Sequence, residues 1–142
     1  MEKKYKLTEE TLEIDGHVLN RIIALRDFGE VKKGDLGGFI EKESNLAHDW
    51  NCWIYNDAVV RDDAMVYGEA KVEKKSDYIV FKNWWSSGRY FTWTRSNDMW
   101  SVGCFYGTGE ELIKKAYNDS EEKGREYERI VKYVESIKQE FK

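Results

Sequence analysis

The chain has 142 residues, a net charge of −4 and a pI near 5.3, so it makes one domain or two very small ones and offers no basic surface for general nucleic-acid binding. Fifteen per cent of its residues are aromatic, six of them tryptophan, and there is no proline. No apolar run reaches membrane-spanning length and no signal peptide is visible, which predicts a protein of the bacterial (host) cytoplasm with no membrane partner.

Charge is uneven along the chain. Residues 1–72 carry 10 Lys/Arg against 15 Asp/Glu, and residues 73–142 carry 13 against 12, so an anionic ligand is expected to meet the second half. The two cysteines, Cys52 and Cys104, have neither metal-site nor disulfide spacing around them and are expected to be small buried thiols.

Residues 3–28 read as two strands around an Asp15-Gly16 hairpin turn: Tyr5 and Leu7 alternate, then Leu12 and Ile14, and Val18 to Leu25 follow the turn. Asp27-Phe28-Gly29 and Lys33-Gly34-Asp35 are turns. Gly37-Gly38 then precedes Phe39-Ile40, and Gly34, Gly37 and Gly38 are expected to permit positive φ at tight corners. From Leu46 to Val72 the chain repeats every six residues. Small or apolar residues fall at Leu46, Cys52, Ala58, Ala64 and Ala70, and Ile54, Val60, Val66 and Val72 follow two places after four of them. The intervening turns are Asn56-Asp57, Asp62-Asp63 and Gly68-Glu69. This spacing predicts a short left-handed parallel β-helix of hexapeptide repeats, in which each unit forms one side of a triangular coil.

The stretch Tyr5–Thr11, then Ala24–Phe28, then Lys32–Leu46 with its Gly34-Asp35-Leu36-Gly37-Gly38 run, resembles the opening of a family of uncharacterised bacterial and phage proteins. The resemblance implies that this opening caps a left-handed β-helix, and Ala64-Met65-Val66-Tyr67-Gly68-Glu69 fits the repeat unit of that family. It covers roughly residues 3–72. The repeats end after little more than one turn, so the second half is expected to cover an open end.

That second half predicts a β-meander followed by two helices. Ser76–Asn83, Arg89–Arg95 and Met99–Phe105 are strands, rich in β-branched and aromatic residues and separated by Ser86-Ser87-Gly88 and Ser96-Asn97-Asp98. Thr108-Gly109-Glu110-Glu111 is a capping box. Leu112, Ile113, Ala116 and Tyr117 share one helical face, and Tyr127, Ile130, Val131, Val134, Ile137 and Phe141 continue at three- and four-residue spacing. The overall expectation is an α+β chain: a capped short β-solenoid over 1–73, and a meander with two helices over 74–142. The run Gly103–Leu112 and the elements around it also resemble a module that ends the same phage and bacterial proteins, which implies a mobile-element setting.

A hexapeptide solenoid suggests an acyltransferase, which needs a histidine as general base. The chain has two histidines. His17 lies in the first hairpin and is expected to be exposed, and His48 stands beside Asp49 near the first repeat. Too few coils remain to cradle an acyl carrier. No metal cluster, phosphate loop or nucleophile elbow is present, so no catalytic residue, metal or cofactor is expected.

The richest stretch is Trp84–Arg95. Trp84, Trp85, Ser87, Arg89, Thr92, Trp93 and Arg95 combine stacking faces with forks and hydroxyls that grip phosphate or carboxylate, although a tryptophan-filled core between sheet and helices would use the same residues. The sequence reading is a non-enzymatic phage or prophage binding protein, an inhibitor of a host defence system (anti-CRISPR-like) that occludes a host protein surface. The alternatives are sequestration of a nucleotide signal by the Trp84–Arg95 region and an acyltransferase of the hexapeptide class. A homo-oligomer, simplest as a dimer, is expected.

Overall fold

The structure, a computed structural model, describes residues 3–83 and 88–140. Strands β1 (Tyr5–Ile14) and β2 (His17–Ala24) form the expected antiparallel hairpin. Its turn is Asp15-Gly16, with φ of 50° and 82°. Two successive positive φ values match the right-handed twist of paired strands, which is why Asp-Gly closes hairpins. Strand β3 (Leu36–Ile40) adds to β2 in antiparallel fashion.

The middle of the chain is built from strands of two residues. They are β4 (Trp53–Ile54), β5 (Val59–Val60) and β6 (Lys71–Val72). Strand β5 lies parallel to β3, giving the order β1-β2-β3-β5, and β4 lies parallel to β6 in a separate two-stranded sheet. One further parallel bridge joins Leu46 to Val66.

These pairings correct the predicted left-handed parallel β-helix. The six-residue spacing does organise the backbone: φ is positive at Trp50, Asn56, Asp62 and Gly68, each six residues after the last. Leu46, Cys52, Ile54, Val60, Ala64, Val66, Ala70 and Val72 are all at most 1% exposed. A solenoid needs parallel ladders that continue from coil to coil, however, and here each ladder is two residues long. One of them is absorbed into a mixed sheet with the antiparallel hairpin. The described architecture is therefore α+β with three mixed, parallel and antiparallel sheets.

Gly37 and Gly38 have a different role from the one expected. Neither has positive φ. A β-carbon at Gly37 would fall 2.7 Å from the Trp53 ring, and one at Gly38 would run into the Ala58 carbonyl. Both glycines let β3 approach its neighbours closely.

Beyond a short 3-10 turn, β7 (Tyr78–Lys82), β8 (Tyr90–Thr94), β9 (Met99–Val102) and β10 (Phe105–Gly107) form the antiparallel meander, with β10 extending the three strands expected. Helices α1 (Gly109–Asp119) and α2 (Glu121–Ile137) follow. Thr108 caps α1, its hydroxyl accepting from the Glu111 amide while Glu111 accepts from the Thr108 amide. Ser120 ends α1 and caps α2.

Strand alternation places the meander between two cores. Ile79, Phe81, Phe91, Trp93, Trp100 and Val102 face the helices and pack with Leu112, Ala116, Tyr127, Val131 and Val134. Tyr78 and Val80 point the other way, onto the core built by Tyr5, Ile22, Trp53 and the repeat residues. Thr92 shares that direction, and its hydroxyl accepts from the Met65 amide at 3.0 Å. Both faces of the sheet are thus buried. No described helix is long and apolar enough to cross a membrane.

Candidate acid–base site

The hairpin tip brings His17 to the chain leaving β3. His17 Nδ1 lies 2.7 Å from Glu41 Oε2, and His17 Nε2 lies 3.8 Å from Asp62 Oδ1. Glu41 is itself fixed, because its Oε1 accepts the Asp62 amide at 2.7 Å. That amide is presented by the positive φ of Asp62 at a repeat corner. Two turns and one strand end therefore hold three titratable side chains together.

The electrostatics are mutual. The hydrogen bond to Glu41 raises the His17 imidazole above its usual pKa. The His17 hydrogen bond, then the Asp62 amide, lower the Glu41 carboxyl. A carboxylate on Nδ1 fixes the ring proton there and leaves Nε2 as the open basic nitrogen of the neutral ring. The donor atoms of His17, Glu41 and Asp62 lie within 4.8 Å of one another, a spacing that a divalent cation could also bridge. The 2.7 Å contact is a hydrogen bond between ring and carboxylate, and it already occupies one ligand atom of each. An open groove of about 670 Å³ lies at the same end of the hairpin, but His17, Glu41 and Asp62 are not among its lining residues. Ile14, the hairpin partner of His17, and Arg61, the neighbour of Asp62, lie on its wall, with Tyr78 further along.

His48, the histidine beside Asp49 near the first repeat, is built differently. Its Nδ1 accepts the Lys4 backbone amide at 3.1 Å, its ring stacks on Tyr5 at 4.2 Å, and Nε2 faces Glu43 at 3.4 Å. With Nδ1 accepting the amide, the nitrogen left over, Nε2, is turned toward Glu43. His48 is a packing residue. The sequence did not bring out His17, because the carboxylate that activates it lies 24 residues away.

The tryptophan–arginine stretch does not form one site. Trp84, Trp85 and Ser87 lie outside the described residues. Thr92 binds the Met65 amide, and Trp93 is 1% exposed and donates its indole N–H to Asp98 at 2.7 Å. Arg95 clamps the buried Asp77 carboxylate with Nε and Nη2, both at 2.9 Å. These three residues hold the sheet. Arg89 alone among the described ones lines a cavity, of about 430 Å³, between the β9–β10 turn and the helices. Of the two thiols, Cys52 is buried as expected, whereas Cys104 is exposed at that cavity.

No family model matches the chain. Over 79 residues it is 37% identical to the uncharacterised acetyltransferase YdcK of Escherichia coli strain K12, an alignment covering 49% of this chain. The chain spans 24% of that protein's length. This similarity overturns the expectation of a non-enzymatic, anti-CRISPR-like occluding protein, since the relative is described as an enzyme.

Proposed function

We propose that the chain belongs to an acyltransferase and that His17 is its general base. The 37% identity to a protein described as an acetyltransferase carries this reading. The geometry supports it with a half-exposed histidine oriented by a carboxylate. In the proposed step, His17 Nε2 takes the proton of an acceptor hydroxyl or amine as its lone pair attacks the carbonyl of an activated acyl donor. The new acyl–oxygen or acyl–nitrogen bond forms, the donor bond breaks, and the imidazolium returns the proton to the leaving group. Glu41 steadies the transient cation, as carboxylates do in histidine–acid pairs.

The test is turnover of acetyl-coenzyme A across a panel of small amines and alcohols. General-base catalysis is worth roughly 10²–10⁴-fold, so His17→Ala should lower kcat by at least that lower bound. Glu41→Gln should lower it less. A preparation that turns over with His17→Ala intact overturns the assignment of the base, and one that turns over no acceptor overturns the function.

A further inference from the structure

We infer that the cavity between the β9–β10 turn and the two helices binds a small amphipathic carboxylate, one acidic head on an apolar body. The inference stands apart from acyl transfer and uses none of its residues. The cavity measures about 430 Å³, within the range of sites that enclose small molecules.

Its chemistry divides into a greasy floor and a charged mouth. Val102, Leu112 and Ala116 form the floor and are each at most 3% exposed. Among the described lining residues, Arg89, Lys115 and Lys123 stand with one carboxylate, Asp119, which holds Lys123 at 2.9 Å. A local excess of cations on a chain of net charge −4 is a selective feature, and it points to an anion. Gly103 makes room for one of those cations. Its φ is +56°, and a β-carbon there would collide with the Arg89 guanidinium.

Tyr127 adds an independent sign of a ligand. It lines the cavity, is 3% exposed, and its buried hydroxyl has no hydrogen-bond partner among the described residues. Buried hydroxyls are costly to leave unpaired, so an acceptor is the missing partner. The Lys123 ammonium sits 5.5 Å from the centre of the Tyr127 ring, which places a cation and a waiting donor on one wall. A carboxylate head would take both, and its tail would cover the floor.

Cys104 is the exposed thiol on this cavity, whereas Cys52 is buried, so Cys104 reports occupancy. The experiment follows maleimide labelling of Cys104 by peptide mass mapping while octanoate is titrated. Octanoate should slow labelling saturably. Octan-1-ol, with the tail but no charge, and inorganic phosphate, with charge but no tail, should each protect at least tenfold more weakly. Arg89→Gln with Lys115→Gln should weaken octanoate protection tenfold or more, and Tyr127→Phe severalfold, with circular dichroism confirming each fold. Equal protection by octan-1-ol would mean an unselective greasy cleft, and equal protection by phosphate a bare cation cluster. Either result overturns the proposal, as does undiminished labelling of the folded protein at saturating octanoate.

Discussion

The coupling between His17 and Glu41 has a definite pH signature. His17 is raised above its usual 6.5 and Glu41 lowered below its usual 4.5, each chiefly by the hydrogen bond to the other. The His17 contribution to stability is fully present below the unfolded-state pKa and is lost as pH rises through the raised folded value. The Glu41 contribution is present above the unfolded carboxyl pKa and is lost as pH falls through the lowered one. The pair therefore supports the fold across mildly acidic pH. In catalysis the sign reverses, because the base must be neutral: kcat should rise with pH to a midpoint above 6.5, and Glu41→Gln should move that midpoint down. Rate profiles of the two proteins check this directly. Asn45 is a second decisive residue. It is fully buried, accepts from the Glu41 and Lys42 amides at 3.1 and 2.9 Å, and donates to the Asp62 and Ala64 carbonyls at 3.1 and 2.8 Å. Asn45→Ala strands several backbone groups in the core, at a cost of about 2–4 kcal/mol by the usual penalty for unpaired groups. Urea denaturation would measure it. Neither role was legible in the sequence, since both depend on partners brought together by strand pairing rather than by local spacing. Arg89 stood out in the sequence as a candidate binding residue because it follows Trp84, Trp85 and the Ser86-Ser87-Gly88 turn.

Among elements, those specified by neighbouring residues were readable and those specified by distant ones were not. The Asp15-Gly16 hairpin and the Thr108–Glu111 cap depend on a few consecutive side chains, and both form as expected. Thr108→Ala should cost about 1 kcal/mol, the usual worth of a capping side chain, and should appear as a lower thermal midpoint with the fold unchanged. The six-residue period was also readable and shapes corners and burial, but a period alone does not dictate how many coils will pair. That is set by where β3 docks, and β3 joins the hairpin. Its docking rests on Gly38, whose missing side chain admits the Ala58 carbonyl. Gly38→Ala should therefore be far more damaging than the cap variant. Soluble yield and near-ultraviolet circular dichroism would show loss of packing rather than a shift in midpoint. The sequence marks Glu41-Lys42-Glu43 as a charged turn, but not that it recurs at Glu73. Glu41-Lys42-Glu43-Ser44-Asn45 and Glu73-Lys74-Lys75-Ser76-Asp77 form the same 3-10 turn, with Asn45 and Asp77 each gathering two preceding amides.

At the scale of the whole molecule, one sheet is shared by two cores. Its apolar face belongs to the helices, and its other face meets the first half of the chain through Tyr78, Val80 and Thr92. That sharing explains why the Trp84–Arg95 stretch reads as a recognition surface. A sheet covered on both sides needs aromatic residues on one face and small polar groups on the other, and a mixed composition of that kind is also what a binding site displays. The hydroxyls facing the first half have a second effect. Thr92 Oγ1 accepts the Met65 amide and Ser96 Oγ accepts the Lys71 amide at 2.7 Å, both from the last stretch of the parallel-paired segment. Those N–H groups lie where the two halves meet and would otherwise lack an acceptor there. Two hydroxyls thus fasten the meander to the first half of the chain. Replacing both, as in Thr92→Val with Ser96→Ala, should loosen that seam and lower the thermal midpoint while each half keeps its own secondary structure.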